Sequence, residues 1–450
     1  MTEFQKKWHA YEDEFLTDLR RLVEIASVRD TTHATPGCPF GPKIAQAMDC
    51  FIQVAEKCGL ETYNLSGYAC DARLGEQSQG YIGILGHLDV VEARESEQWH
   101  TPPFTVTLDE QRMLYGRGVN DDKGPLLATL YAVRIMKDLQ IPLKYGIRII
   151  AGGAEETTWE CMDKYFSHEP QPLMGFSPDG NFPIVNGEKG IRKYDLVFRT
   201  ASPIAGCPEL HDLTCATLRN YVCDDVCCKM DGVGSLRFTG QRALSRNPQR
   251  GQNALFSLAQ HFRNIELAQP AINACIAFLN DALAPDPYGR ACGLYASDAD
   301  MGTTSVCPTG CEQKKDGLHL YVDMRYPRSI TPEELDDRLQ RLGTQYGFDF
   351  TVEDQKRLLY VAPDHPLITA LGQAYTQVTG EQAECLTKGG ASYARVLDCG
   401  IAFGATFPDE ETYPHMPNER ISLDSLSRAA EIYFHAIRRL SAHELDKLPQ

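Results

Sequence analysis

One short stretch, Tyr81 to Val91, constrains the fold of this chain more than any other, and it reads YIGILGHLDVV. The apolar residues 81–85 predict a buried strand, and Gly86 is expected to break it. His87 and Asp89 follow two residues apart, so in extended backbone they project to the same side. An imidazole and a carboxylate at a strand end are typical of a site at the carboxyl edge of an α/β sheet. A polar loop after a strand is the alternative that this stretch alone leaves open.

The chain carries a net charge of −17 over 450 residues, which argues against nucleic acid or an anionic membrane as a partner. Small molecules, peptides and metal cations remain as partners. There is no apolar run of about 18 residues and no apolar signal-peptide segment, so we expect a cytoplasmic protein. Its 16 cysteines are then expected to stay reduced. The densest group lacks the paired C-x-x-C spacing of a structural zinc site, and buried thiols are expected there instead: Cys215, Cys223, Cys227 and Cys228.

Three acidic groups follow His87 at intervals of about one strand and helix each. Asp121–Asp122 precedes an apolar helix, where adjacent carboxylates indicate either a nearby cation or full solvation. Glu155–Glu156 follows the strand YGIRIIA, and Asp179 follows a short apolar piece. Because parallel strands in register bring their carboxyl ends to one edge of a sheet, we predict that these groups meet His87 there.

The hydrophobic pattern changes near Glu188. Before it, apolar strands alternate with helices; after it, apolar and polar residues alternate, as over 194–198, which is typical of antiparallel strands with one exposed face. From Pro366 the first pattern returns and ends in an amphipathic helix over 422–440. We predict an α/β fold with a catalytic domain that has a central, mostly parallel sheet with helices on both faces, plus an inserted α+β lid domain. The predicted bounds are 1–188 and 359–450 for the catalytic domain and 189–358 for the lid.

Four motifs in this order, GHLDVV, GRGVNDDKG, GGAEETTW and SPDG, resemble those of the metal-dependent exopeptidase and aminoacylase superfamily. The stretch PDGNFPIVNGEKGI, with KGGASYARVL and AFGATFP before His415, narrows the resemblance to the PepV-like dipeptidases. The resemblance covers nearly the whole chain. It implies a hydrolase with two divalent metal ions that cleaves the amide bond of dipeptides. It also favours a monomer, with an oligomer left open.

The resemblance assigns a role to each matching position. His87 and Asp179 are implied to bind one metal. Glu156 and His415 are implied to bind the other, with Asp121 as the bridge. The general base and the residue that orients His87 are implied to be Glu155 and Asp89. The implied substrate contacts are Asn220 and Arg325 in the lid, the latter as a clamp for the substrate carboxylate, with Gly389 and Gly390 bordering the same pocket.

The chemistry of these side chains fits the implied roles. Two cations about 3.5–4 Å apart need a shared anionic ligand, which a carboxylate supplies. An acid beside a ligand can take a proton from water and return it to the leaving amine. A guanidinium recognises a terminal carboxylate in bidentate fashion. Imidazole and carboxylate ligands suit zinc, cobalt or manganese, and without a thiolate they do not single out zinc. Zinc is the expected metal of the resemblance, with manganese and cobalt as alternatives.

The lid departs from the family at one position. The segment 240–254 follows the family pattern G-x-x-x-H-A-x-x-P-x-x-G-x-N-A, but Leu244 stands where the histidine is expected. Losing one oxyanion donor typically costs about 10²–10³ in rate. Three explanations remain: Arg242 or Arg246 supplies the positive charge, the substrate needs less help than a peptide, or catalysis has been weakened. The alternatives to a dipeptidase are therefore an N-acyl amino acid amidohydrolase and a weakened homologue that binds metal and peptide.

Overall fold

A computed structural model describes residues 1–94, 98–215 and 218–442 of the chain. In these ranges the α-helices are α1 Glu3–Val23, α2 Pro42–Lys57, α3 Lys123–Asp138, α4 Glu160–Phe166, α5 Ala254–Phe262, α6 Pro270–Phe278, α7 Pro332–Tyr346, α8 Pro366–Thr379 and α9 Leu423–Ala442. Single 3₁₀ turns span Thr31–His33, Pro248–Arg250 and Tyr393–Val396, and a π-helical turn spans Leu279–Leu283.

The strands include long central ones and several of two or three residues. In chain order they are β1 Glu61–Leu65, β2 Ala69–Leu74, β3 Tyr81–His87, β4 Thr107–Leu108, β5 Met113–Tyr115, β6 Gly146–Gly152, β7 Met174–Ser177, β8 Ile184–Glu188, β9 Gly190–Arg199, β10 Leu210–Cys215, β11 Asp225–Met230, β12 Gly234–Thr239, β13 Ser297–Asp298, β14 Gly302–Thr303, β15 Ser305–Lys314, β16 Gly317–Tyr326, β17 Phe348–Lys356, β18 Leu359–Tyr360, β19 Cys385–Lys388, β20 Gly400–Ala402 and β21 Arg420–Ser422.

The chain forms two compact units. The first comprises 1–186, 361–386 and 392–450, and the second comprises 187–360 and 387–391. The predicted lid, 189–358, falls inside the main range of the second unit. The sequence analysis did not anticipate that the short segment 387–391 belongs with it, because no change of hydrophobic pattern marks that return.

The first unit is built on a mixed sheet with the strand order β1-β2-β6-β3-β7-β20-β8. The four strands β6, β3, β7 and β20 are parallel to one another, and the pairings β1–β2, β2–β6 and β20–β8 are antiparallel. All seven residues of β3 and all seven of β6 are buried, as expected for parallel strands covered on both faces. The predicted α/β class is confirmed, with parallel pairing confined to the centre of the sheet.

The expected break at Gly86 was wrong, because β3 continues through Gly86 to His87. Gly86 pairs with Ala151 and His87 with Gly152 in unbroken parallel register. Glycine is needed here because Asp122 and Leu126 lie very close to its backbone. A Cβ at this position would lie 2.3 Å from Asp122 Oδ2 and 2.8 Å from Leu126 Cδ1. The absence of a side chain therefore lets the start of α3 approach the strand that carries His87.

We expect Gly86→Ala to lower the free energy of unfolding by about 1–3 kcal/mol, the usual cost of overpacking a core. The added methyl would displace the buried Asp122 carboxylate or the α3 backbone. Denaturant unfolding of both proteins measures the difference. Gly372→Ala in α8 is the matched control, because its Cβ would make ordinary contacts at 3.5 Å and alanine favours a helix. A Gly86→Ala protein as stable as the wild type would contradict this packing account.

Successive residues of β3 face opposite sides of the sheet, so Gly86 and His87 have different neighbours. The Gly86 side faces Leu126 of α3. The His87 side faces Tyr393, with ring centroids 6.2 Å apart. The amphipathic helix predicted over 422–440 is confirmed as α9, which packs with α1 against α3. On the other side of the sheet, Met162 of α4 approaches Gly152, the β6 partner of His87. Helices therefore cover both faces of the sheet, and the His87 side of β3 also carries the functional groups.

The second unit is an α+β structure. Its main sheet has the order β15-β16-β9-β17 and is antiparallel throughout. A second antiparallel sheet has the order β10-β11-β12. The alternation over 194–198 is thus confirmed as part of β9. One core cluster includes Leu196, Phe198, Phe262, Leu320 and Phe348.

Candidate active site

The predicted site residues of the first unit lie where its central elements end or begin. His87 closes β3, Asp121 precedes α3, the pair Glu155–Glu156 follows β6, and Asp179 follows β7. His415 comes from the loop before β21, with a left-handed φ of 62°. The structure brings the imidazoles and carboxylates of these residues together.

Asp121 lies between the two histidines. Its Oδ1 is 2.9 Å from His87 Nε2, and its Oδ2 is 2.9 Å from His415 Nε2. His415 Nε2 is also 3.0 Å from Glu156 Oε1, while His87 Nε2 is 3.9 Å from Asp179 Oδ2. One carboxylate therefore presents one oxygen to each imidazole, which is the arrangement required of a bridging ligand.

The ring of His87 has a defined tautomer. Its Nδ1 lies 2.8 Å from the backbone carbonyl oxygen of Asp89. Because a carbonyl oxygen can only accept, Nδ1 must donate, and Nε2 is left as the nitrogen that can bind a metal ion when it carries no proton. Nε2 is the atom that faces Asp121 and Asp179. The ring is thus oriented as a metal ligand is usually oriented by its second hydrogen bond.

Asp89 orients His87 through its backbone rather than its carboxylate. The carboxylate Oδ1 is 3.6 Å from His87 Nδ1, too far for a hydrogen bond. Its two oxygens instead accept the backbone N–H groups of Glu155 and Glu156, each at 3.0 Å. The buried carboxylate therefore fixes the turn after β6 against the end of β3, and it sets the position of both glutamates.

The sequence analysis missed Glu419 as a residue that shapes the site. The Oε1 atom of this fully buried glutamate accepts hydrogen bonds from the backbone N–H groups of Gly118, Asn120 and Asp121 at 2.9, 3.0 and 3.1 Å. Its Oε2 accepts from the buried Arg117 Nη1 at 2.7 Å. The loop that carries Asp121 is thus held from the far end of the chain. An isolated acid in PNER gives no sequence signal for this role.

Asp122 and Tyr393 complete the surroundings of His87. Asp122 Oδ2 accepts the backbone N–H of His87 at 3.2 Å, and burial raises the pKa of this carboxyl well above its usual value. The Asp121–Asp122 peptide is cis. Tyr393 packs edge-on against His87, and its hydroxyl lies 2.8 Å from Cys161 Sγ. One side of the imidazole is therefore walled by buried groups.

Negative charge is in excess at the site. Burial, followed by nearby carboxylates, raises the pKa of Glu156, and burial with Asp121 raises that of Asp179 to about 7. Burial likewise raises the pKa of Glu155 well above its usual value. Although burial acts in the opposite direction, hydrogen bonds to Asp121 and Glu156 raise the pKa of His415 to about 11. Acids that repel one another at this density are stabilised by a cation.

The donor atoms fit divalent metal ions. Two groups of possible ligand atoms lie within 4.8 Å of one another: His87, Asp121 and Glu156, and His87, Glu155 and Asp179. They combine imidazole nitrogen and carboxylate oxygen, the ligand types of zinc, manganese and cobalt sites. Neither group contains a thiolate, so the donors alone do not distinguish these metals.

The four predicted substrate-binding residues all lie in the second unit. Arg325 is buried, and its Nη1 donates to the carbonyl oxygen of Gly389 at 3.0 Å. Asn220 is exposed, and its carbonyl accepts the N–H of Ser245 at 2.9 Å. Leu244 pairs with Tyr221 in an isolated bridge and is 38% exposed. The short segment with Gly389 and Gly390 thus lies beside Arg325 in this unit.

The profile of peptidase family M20/M25/M40 matches residues 83–439. The chain belongs to this peptidase family. It is accordingly a peptide-bond hydrolase. The chain is 31% identical over 474 residues to the "Putative dipeptidase" of Staphylococcus aureus (strain USA300), covering 98% of this chain and 100% of that one. A protein of the same description from Staphylococcus haemolyticus (strain JCSC1435) is 32% identical over 470 residues, covering 97% and 99%.

Solved structures of this M20 chain's relatives share its fold. The Saccharomyces cerevisiae di-peptidase Dug1p superposes with a TM-score of 0.63 at 15% identity, covering 98% of this chain and 99% of that chain. A dinuclear metal binding peptidase of family M20 from Bacillus subtilis superposes with a TM-score of 0.56 at 13% identity, covering 96% and 99%. In the described part of the M20 chain, no helix is long and apolar enough to cross a membrane.

Proposed function

We propose that this M20 peptidase is a metallo-dipeptidase that uses two divalent metal ions and Glu155 to hydrolyse the amide bond of dipeptides. The observation that carries the proposal is the position of Asp121, with one carboxylate oxygen 2.9 Å from each of His87 and His415. The S. aureus and S. haemolyticus relatives described as dipeptidases and the B. subtilis dinuclear peptidase support it.

In this proposal the ligands are those that the family resemblance implies. His87 and Asp179 hold one ion, Glu156 and His415 hold the other, and Asp121 bridges them. Bound cations would polarise the scissile carbonyl and lower the pKa of the attacking water. Zinc is the proposed metal, with manganese or cobalt as alternatives.

Glu155 is the proposed general base. It belongs to the second donor group, near His87 and Asp179, and its backbone is fixed by the Asp89 carboxylate at 3.0 Å. Its side chain takes a proton from water and returns it to the leaving amine. Trp159 Nε1 donates to the Glu155 carbonyl at 2.7 Å, which adds a second restraint on the backbone of the base.

The test is a panel of dipeptides offered to the protein loaded with zinc, manganese or cobalt. We expect release of two amino acids from Ala-Ala and no release from N-acetylalanine, because a dipeptidase requires a free substrate amine. Cleavage of N-acetylalanine alone would establish the amidohydrolase alternative. A metal-loaded protein that cleaves neither compound would refute the proposed enzyme and leave the metal- and peptide-binding alternative.

Leu244 is the observation that keeps the weakened homologue open. We expect Leu244→His to raise kcat at least about tenfold, because one oxyanion donor is typically worth about 10²–10³. The side chain is 38% exposed, so an imidazole fits without repacking. Val233→His, at a position that is 62% exposed, is the control for an added surface histidine. A fall in kcat on Ala-Ala would show instead that the pocket is adapted to another substrate.

Cytoplasmic location and a monomeric state remain predictions. All 16 cysteines are free thiols, which supports a reducing compartment.

A further inference from the structure

Within the described part of the chain, Arg246 has no carboxylate partner, a condition that it shares with Arg250 but not with four other arginines of the second unit. Those four have a carboxylate oxygen within hydrogen-bonding distance: Arg219 with Glu353 at 2.6 Å, Arg237 with Asp225 at 2.7 Å, Arg242 with Asp224 at 2.9 Å and Arg325 with Asp323 at 2.7 Å. Arg246 is distinguished from Arg250 by its contact with the glycine pair beside Arg325. Among the residues that the structure describes, no carboxylate lies within 4.0 Å of Arg246. Arg242, an alternative cation in the sequence analysis, is thus already paired.

The Arg246 side chain lies along the glycine pair beside Arg325. A Cβ at Gly389 would be 3.3 Å from Arg246 Cβ, and a Cβ at Gly390 would be 3.0 Å from Arg246 Nη1. The two glycines therefore leave room for this guanidinium. Arg325 Nη1 reaches the same segment, since it donates to the Gly389 carbonyl at 3.0 Å. Two guanidiniums thus converge on one glycine pair.

The two guanidiniums are not equivalent. Arg325 is 8% exposed, and its Nη2 donates to Asp323 Oδ2, which also accepts the Ser245 hydroxyl at 2.6 Å. Arg246 is exposed at the surface, yet the protein on its inner side and the positive charge of Arg325 lower its pKa, against the attraction of Asp323. The two guanidiniums therefore share one nearby carboxylate, Asp323, which is hydrogen-bonded to Arg325 and not to Arg246. A second anion placed against Arg246 would balance the remaining positive charge.

We propose that Arg246 is a specificity-determining residue that selects dipeptides whose C-terminal residue is aspartate or glutamate. The inference rests on the proposed dipeptidase function, in which Arg325 and the glycine pair receive the substrate's terminal carboxylate. The acidic side chain of the same substrate residue supplies the second anion. A charge-assisted guanidinium–carboxylate pair discriminates it from the neutral amide of asparagine or glutamine, which has nearly the same shape.

The test compares Ala-Asp with Ala-Asn and Ala-Glu with Ala-Gln on the metal-loaded full-length chain. A charge-assisted hydrogen bond at an exposed site corresponds to about a tenfold preference in kcat/KM for each acidic member. Arg246→Met should abolish the preference, because it slows the acidic substrates about tenfold more than Ala-Asn and Ala-Gln. Arg246→Lys should restore part of it. Arg237→Met, which removes an equivalent charge from the same unit, should change nothing.

Each result decides the inference. Equal slowing of acidic and neutral substrates by Arg246→Met would overturn it, because Arg246 would then act on catalysis or folding. Cleavage of Ala-Asn as fast as Ala-Asp by the wild type would overturn it and leave the dipeptidase function intact. If no dipeptide is cleaved, the dipeptidase function fails. Calorimetric titration with free L-aspartate and L-asparagine then tests whether Arg246 prefers an acidic side chain. Tighter aspartate binding, lost in Arg246→Met, supports the pocket, and equal binding refutes it.

Discussion

Replacing Glu155 by glutamine is expected to lower kcat by about 10²–10⁴, the usual contribution of a general base. Glutamine has the same shape, and the contacts that place this residue use its backbone N–H and carbonyl, so its position should be kept. The metal content should not change, because the proposed ligand set does not include Glu155. Steady-state kinetics on Ala-Ala and elemental analysis of the same preparation give the two readouts.

The control for this variant is Glu160→Gln in α4. It makes the same chemical change five residues along, at an acid whose partner is Arg29 at 2.6 Å. Its kcat should match that of the wild type. If Glu155→Gln kept a tenth or more of the wild-type kcat with full metal content, another group would have to take the proton.

The second large effect is expected for Asp121→Asn. The amide can offer an oxygen to only one side, so the link between His87 and His415 is lost. We expect at least one metal ion per chain to be lost on dialysis. kcat/KM should fall by more than about a thousandfold, because metal stabilisation of the transition state is worth several kcal/mol.

Asp163→Asn provides the comparison for this loss, since Asp163 is an exposed acid of α4. It should retain both metal and activity. Circular dichroism and thermal melts of each variant separate metal loss from unfolding. An Asp121→Asn protein that binds two ions with wild-type affinity would refute the bridging role, even if its activity had fallen.

The parts of this fold that could be predicted are those that leave a local pattern. The alternation in 194–198 predicted β9, and the apolar run before His87 predicted β3. Both follow because a strand buried on one face has alternating apolar residues and a strand buried on two faces has a continuous apolar run. The resemblance of four motifs named the residues that the structure brings to Asp121. Their pairwise distances depend on the register of β3, β6 and β7, which no single segment encodes.

The parts that could not be predicted depend on contacts between distant segments. Gly86 reads as a chain break, yet it is a strand residue whose missing side chain admits Asp122. Asp89 reads as a side-chain partner of His87, yet its carboxylate binds backbone on the neighbouring strand's loop. Glu419 gives no signal at all, because its three amide partners lie about 300 residues earlier in the chain.

The contribution of His415 and Glu419 sets an order of events during synthesis. His87, Asp121, Glu156 and Asp179 all precede the second unit in the chain. The second histidine and the buried acid that anchors the Asp121 loop emerge only after that unit and its return segments. A nascent chain therefore displays an incomplete, acid-rich cluster for most of its translation. In the proposed two-metal enzyme, stable loading with a pair of ions is accordingly a late step, coupled to closure of the chain's last segment onto its first.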